Sequence, residues 1–306
     1  MLENYIKLPG LALGQTLSYF KAALHLGRFS IKRNLSLVFL CGANQRALVP
    51  SERRRFLKAG IEKNLPNSRI VYAEKVMEEL AHHGKTKNLL DIEHQISALA
   101  DWILIVLESY SSFCELGAFA HKEARGKLVV INDSHFKLEP SFINQGPLQA
   151  IVEDASKDRV IWYPMSTDGI TSLDAVGMTL PKVLANLKHH KARDKFSLNE
   201  ISTNKLSQHA LFFLHDLIYL CGPITHAETI VLYKFIFGDS SFDEIKSLRG
   251  ILHACEFISV RHVNGIPSYM SNSHETFINF GSLSDRVFNT FRRFHIKFHR
   301  ERLFDV

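Results

Sequence analysis

Residues 102–119 read Trp102-Ile103-Leu104-Ile105-Val106-Leu107-Glu108-Ser109-Tyr110-Ser111-Ser112-Phe113-Cys114-Glu115-Leu116-Gly117-Ala118-Phe119. The first six form an unbroken apolar run, which is how a strand reads when both of its faces are covered. From Phe113 onward the period changes. Phe113, Leu116, Phe119 and Ala120 recur at helical spacing. A buried strand that runs directly into a helix is half of a strand–helix–strand unit. Four further runs share its character, at 35–40, 69–73, 127–132 and 159–163. Between them, Leu89, Ile92, Ile96 and Leu99 recur at i, i+3, i+7 and i+10. This alternation predicts an α/β fold, a five-stranded parallel, doubly wound sheet with right-handed crossovers. Ligands in such sheets sit beyond the carboxyl ends of the strands. The residues after Leu40, Leu107 and Asn132 are therefore the first candidates for chemistry.

The flanks read differently. In residues 1–34, Leu13, Leu17, Phe20 and Leu24 trace an apolar stripe. It predicts an amphipathic helical segment docked on the sheet or on a partner. The sheet domain spans 35–190, with a helix over 171–190 that ends in the basic stretch 188–195, a linker by composition. Residues 203–306 form a further unit. Helices are expected over 206–220, 226–237 and 242–254, with Pro223 and Gly238 as punctuation. Strands 257–263 and 266–270 follow, joined at Asn264-Gly265, the preferred two-residue hairpin turn. Three helices and a hairpin are the order of a winged helix, and a last helix covers 283–303.

Composition narrows the function. Of 306 residues, 46% are hydrophobic and 22% charged, which supports a packed core and excludes wholesale disorder. The apolar runs are far shorter than the roughly 20 residues that cross a bilayer. Met1-Leu2-Glu3 is not a secretory start. Cys41, Cys114, Cys221 and Cys255 show no CxxC pairing, which fits a reducing cytoplasm rather than a disulfide scaffold. The 16 histidines make no metal-binding spacing, so no metal is expected. Net charge is +6, and 203–306 is nearly neutral. The surplus therefore lies in the first two thirds, notably at Arg53, Arg54 and Arg55.

Four segments carry candidate chemistry. Glu115 would sit in the first turns of the helix that follows the strand at 102–107, where the helix dipole favours its ionised form. A carboxylate held there can attack an anomeric carbon. Ser109 and Ser112 offer hydroxyls to a ribose or phosphate. Cys41-Gly42-Ala43-Asn44 ends the first strand, and Gly42 lets backbone N–H groups approach a ligand. Glu93 lies on the helix before the central strand and can protonate a leaving base. Asn132, at a strand end, and Asn144, in Ser141-Phe142-Ile143-Asn144-Gln145-Gly146-Pro147, can bind sugar hydroxyls. The plain alternative for both acids is a solvated or helix-capping carboxylate.

Taken together, these segments resemble the nucleoside 2-deoxyribosyltransferase family, through Cys41-Gly42-Ala43, Glu93, Glu115-Leu116-Gly117 and Ile143-Asn144. The resemblance implies a deoxyribosyltransferase-like sheet domain with Glu115 as nucleophile and Glu93 as acid/base. It also implies that Asn144 reaches across a homodimer or higher oligomer. Ser109 stands where that family has an acid, a departure that favours hydrolysis or a different nucleoside-type substrate. Phe39-Leu40-Cys41-Gly42, Glu108-Ser109, the run from Ser112 to Phe119 and Ser141 to Pro147 resemble more narrowly the effectors of retron anti-phage systems. Those join such a domain to a winged-helix-like one. The narrower resemblance implies a toxin effector held in check by a reverse transcriptase and its multicopy single-stranded DNA. It further implies cleavage of an N-glycosidic bond, with NAD⁺ as substrate and no cofactor. A nucleoside or nucleotide deoxyribosyltransferase or hydrolase, and a non-catalytic nucleotide-sensing DNA-binding module, remain as alternatives.

The last helix interleaves Arg286, Arg292, Arg293, Lys297, Arg300 and Arg302 with Phe288, Phe291, Phe294 and Phe298. Such a pattern suits base stacking and phosphate contact, with Arg292, Arg293, Lys297 and Arg300 as candidates. An amphipathic helix with a Phe core and a solvated Arg face explains it equally.

Overall fold

The computed structural model describes the chain except residues 1, 9, 33–34, 47, 84–87, 189–194, 202–203, 239–240 and 304–306, and except the side chains of 79–80, 82–83, 89, 91, 93 and 95. The Glu93 side chain and the middle of the linker lie outside the described residues. The chain opens with α1 (Leu2–Lys7) and α2 (Ala12–Leu26). There follow β1 (Ser36–Cys41), β2 (Asn44–Arg46), β3 (Val49–Pro50), α3 (Glu52–Asn64), β4 (Ser68–Tyr72), α4 (Ala73–His83), α5 (Leu89–Leu99), β5 (Trp102–Val106) and α6 (Tyr110–Phe119). Next come β6 (Leu128–Asp133), α7 (Gln149–Asp154), β7 (Val160–Tyr163) and α8 (Leu180–Lys188). The last stretch holds α9 (Gln208–Cys221), β8 (Ile224–Thr225), α10 (His226–Phe237), α11 (Ile245–Ala254), β9 (Ile258–Val263), β10 (Ile266–Ser271) and α12 (Leu283–Phe298). Two compact units result, residues 34–191 and residues 1–33 with 192–306.

In the unit of residues 34–191, five described strands make a parallel sheet in the order β4-β1-β5-β6-β7. The register sets Val38 beside Trp102 and Cys41 beside Ile105 on one flank of β5, and Ile105 beside Val130 on the other. Each expected strand lies within one residue of its run. β1 and β5 are buried along their whole length because helices cover both faces. Ile92, Ile96 and Leu99 of α5 and Leu116 and Phe119 of α6 face inward. The helix expected over 171–190 is shorter. α8 begins at Leu180, and residues 175–179 form a 3₁₀ turn whose N-cap, Asp174, accepts from the Val176 N–H.

The other unit has the winged-helix order, with a short strand the sequence did not disclose. β8 pairs antiparallel with β10, and β10 with β9, giving the order β8-β10-β9. Asn264 and Gly265 both have positive φ, 51° and 76°, as the hairpin turn requires. The apolar stripe of α2, expected on the sheet or on a partner, instead packs within this unit. Phe20 meets Phe280 edge-on at 5.8 Å, and Thr16 and Thr290 of α12 approach to 3.4 Å. Among the described residues no helix is long and apolar enough to cross a membrane.

Candidate active site

Strand order reverses between β1 and β5, because β4 lies on one side of β1 and the later strands on the other. A doubly wound sheet opens its ligand crevice at that point, beyond the carboxyl ends of the two strands. Here those ends are Cys41-Gly42-Ala43 and Leu107-Glu108-Ser109. Gly42 has φ +152°, and an added Cβ would lie 2.8 Å from both the Arg54 Cδ and a Glu108 carboxylate oxygen. Only glycine fits there.

The centre of this junction is a carboxylate that sequence reasoning passed over. The Glu108 side chain is fully buried. Its Oε1 accepts from the Ala43 N–H at 3.0 Å and the Ser51 hydroxyl at 2.6 Å, and Oε2 from Arg53 Nη1 at 2.9 Å. Glu108 thus ties the end of β5 to the end of β1. Arg53, itself buried, continues to Asp174 at 2.9 Å and to the Ser166 carbonyl at 2.5 Å. The Tyr163 hydroxyl donates to the same Asp174 oxygen at 3.0 Å. Burial alone would raise the Asp174 carboxyl, but the Arg53 guanidinium and the Ser166 and Val176 N–H groups hold it below its usual range. Burial likewise opposes the charge on Arg53, and its two carboxylate partners override that. Burial pushes the Tyr163 phenol up.

Beside this network, Arg54 is fully buried. It grips Glu74 with both terminal nitrogens, at 2.9 and 2.7 Å, and donates to the carbonyls of Leu40 and Ala43 and to Asn44 Oδ1. The Cys41–Asn44 loop is thereby locked from inside. Of the basic run read as surplus charge, Arg53 and Arg54 are structural, and Arg55 faces solvent.

Ser109 caps α6. Its hydroxyl accepts from the Ser112 N–H, while the buried Ser112 hydroxyl accepts from the N–H groups of Glu108 and Ser109, each at 3.1 Å. One N–H of the first turn, that of Ser112, is therefore engaged by the chain itself. Glu115 lies in the second turn, half-buried, with one carboxylate oxygen out of solvent. Glu93 is on α5. Asn132 is the penultimate residue of β6, buried, with its Oδ1 accepting from the Asp133 N–H. Asn144 opens a π-helical turn at 144–148, and its amide donates to the Phe136 and Glu139 carbonyls at 2.7 and 2.8 Å. It lines a cavity of about 440 Å³ with Lys137, Gln149 and Trp162. Cys41, Gly42, Ala43, Asn44, Ser109 and Ser112 thus gather at the β1–β5 junction, whereas Asn144 belongs to the β6–β7 connection.

Glu108, Arg53 and Asp174 carried one signal in sequence. Glu108 is the first charged residue after a fully buried strand, at a carboxyl end.

In the other unit, Phe291 and Phe294 of α12 are buried and Phe288 and Phe298 half-buried. The aromatic stripe is core. Arg293, Lys297 and Arg300 are exposed, and Arg292 lies 4.9 Å over the Phe288 ring. On α11, Arg249 donates to His226 Nδ1 at 2.7 Å and covers the Tyr269 ring at 4.4 Å. Partial burial and the adjacent Arg249 hold the His226 imidazole below its usual range.

Residues 50–260 match the profile of the STM3845 retron effector protein family. The chain is 34% identical over 310 aligned positions to an Escherichia coli protein named "Retron Ec73 putative ribosyltransferase/DNA-binding protein", covering 97% of each chain. It is 38% identical over 89 residues, 29% of each chain, to the retron Ec86 protein of the same description, also from Escherichia coli. With a profile that spans more than half of the sequence and a relative matched end to end, this chain belongs to the STM3845 retron effector protein family.

Proposed function

We propose that the sheet unit is an N-glycosidase that hydrolyses NAD⁺ to nicotinamide and ADP-ribose, and that it acts as the toxin of an anti-phage retron. The observation that carries this reading is Glu115. Its helix begins at the β1–β5 junction of a parallel sheet, and one of its carboxylate oxygens is withdrawn from water. The names of the two relatives support chemistry at a ribose carbon.

In the proposed reaction the bond between the ribose C1′ and the pyridinium nitrogen breaks. Its electron pair leaves with nicotinamide and cancels the positive charge of the ring. Little acid help is needed, so Glu93 assists rather than drives departure. Glu115 stabilises the oxocarbenium-like transition state or traps C1′ covalently. Water then adds at C1′ and releases one proton, leaving ADP-ribose. Cys41, Gly42, Ala43 and Asn44 approach the ligand from the end of β1 and the turn after it, Ser109 and Ser112 from the cap and first turn of α6, and Asn132 from β6. Asn144 serves a pocket of a second copy in a homodimer or higher oligomer. The word ribosyltransferase in the relatives' names favours a second outcome, transfer of the ribosyl group to an acceptor other than water.

Glu115→Gln removes the negative charge and keeps the shape. The variant is expected to release nicotinamide at least a hundredfold more slowly than the parent, measured by chromatography of NAD⁺ incubations. Parent-like release would remove Glu115 from the mechanism. Added nucleosides or bases separate hydrolysis from transfer by the product formed. In cells, growth arrest by the chain alone, relieved by a retron reverse transcriptase with its multicopy single-stranded DNA, is the expected behaviour of a restrained cytoplasmic toxin.

A further inference from the structure

We propose that His94, His121 and Glu123 form a Zn²⁺ site that joins α5 to the turn after α6. His94 projects from α5, and His121 and Glu123 lie just past the last residue of α6. One donor atom from each, two imidazole nitrogens and a carboxylate oxygen, lie within 4.8 Å of one another. The two rings are 5.2 Å apart between centroids. The sequence showed no metal spacing because these donors are 27 and 2 residues apart and meet only through helix packing.

The independent observation is the state of His121. Its Nε2 is buried and has no hydrogen-bond partner among the described residues. A buried polar nitrogen left without a hydrogen-bond partner is destabilising. The lone pair of an imidazole nitrogen is also what a transition ion takes, and an ion seated there removes the penalty. The backbone under His121 is fixed, since its carbonyl accepts from the Ala124 and Arg125 N–H groups at 3.1 and 3.2 Å. His94 and Glu123 face solvent, so they can swing toward a buried partner that stays in place.

The donor set selects the ion. Two imidazoles and one carboxylate suit Zn²⁺, whereas Mg²⁺ and Ca²⁺ prefer all-oxygen shells. Zn²⁺ bonds of about 2.0–2.2 Å would draw the three donors to roughly 3.4 Å from each other and leave a fourth position for water. The clamp fixes α5, which carries Glu93, against α6, which carries Glu115. Binding of the ion does not depend on either acid being catalytic.

The test uses the purified full chain, stripped with a chelator, dialysed and titrated with Zn²⁺ against a chromogenic competitor. The parent is expected to take up one tightly held Zn²⁺ per chain and to melt at a higher temperature with it. His94→Ala and His121→Ala should weaken uptake at least tenfold and abolish the thermal shift. His262→Ala, an exposed histidine of the other unit, should behave as the parent. Co²⁺ in place of Zn²⁺ should give visible tetrahedral bands in the parent and not in His94→Ala. Equal uptake by the parent and His94→Ala, or no competitive uptake by the parent, overturns the site. Because His94 is exposed, its variant folds and decides the question even where His121→Ala does not. Parent-like activity in Glu115→Gln would leave the Zn²⁺ result standing, so the two failures are distinguishable.

Discussion

Arg53 lies between two buried carboxylates, and its removal strands both. Glu108 and Asp174 would each lose a charged partner with almost no access to water. Breaking a buried pair from one side typically costs about 3–5 kcal/mol. Arg53→Leu is therefore expected to lower the urea-unfolding stability of the protein by that amount, whereas Arg55→Leu, on the solvent side of the same helix, should cost under about 1 kcal/mol. Equal losses would show that the Arg53 network is not a structural centre. This is also where the sequence stopped short. A strand-end acid and an arginine 55 residues away carry no local sign that they meet. A basic triplet reads as surface charge unless the fold is known, and the carboxylates that pair with two of its members come from the turn after β5, from α4 and from the turn before α8. The β1–β5 junction was legible from Gly42 and Ser109. Its buried carboxylate was not.

Elements that are covered on both faces were read to within a residue, because an unbroken apolar run has one meaning once it is bounded by turn residues. Elements stabilised by a single distant contact were not. β8 is two residues long and exists through its pairing with β10. α8 starts nine residues later than its apolar pattern suggested because Asp174 is drawn to Arg53. The stripe of α2 announced an amphipathic helix, yet nothing in it named α12 as the element it would meet. α12 in turn holds a buried titratable group. His295 donates from Nε2 to the Cys221 carbonyl at 2.7 Å, and burial depresses its imidazole to about 4. In the unfolded chain it titrates near 6.5. The unfolded state therefore binds the proton first as pH falls. The contribution is complete above about 6.5 and is lost between there and about 4. At pH 5 the loss comes to about 2 kcal/mol. Unfolding free energies at pH 7.5 and 5 should differ by about that much more for the parent than for His295→Leu. An equal pH slope in the two proteins would refute the buried neutral imidazole.

At the scale of the molecule, charge is unevenly divided between the two units. Arg53 and Arg54 are buried in the sheet unit with Glu108, Asp174 and Glu74, so these two cations add nothing to its free positive surface. In the other unit 18 basic residues face 13 acidic ones, but its stretch 203–306 holds only 11 and 10, so the excess does not come from the winged helix. Arg249 of α11 is held by His226 and Tyr269, which leaves that helix poorly equipped to read a duplex. The exposed cations of α12 and of the turn just after it, Arg293, Lys297 and Arg300, are better placed for a phosphate chain, and the buried Phe residues of α12 fix the spacing of the first two. Contact with a single strand should then be electrostatic and strongly salt-dependent. Each phosphate contact contributes about −0.7 to the slope of log affinity against log salt for single strands. In a Glu115→Gln background, which separates binding from turnover, Arg293→Ala, Lys297→Ala and Arg300→Ala combined should make that slope shallower by about 2. Fluorescence anisotropy of a labelled single-stranded DNA across a sodium chloride series measures it. A parent slope near zero, or one that the triple substitution leaves unchanged, would move any nucleic-acid contact away from α12.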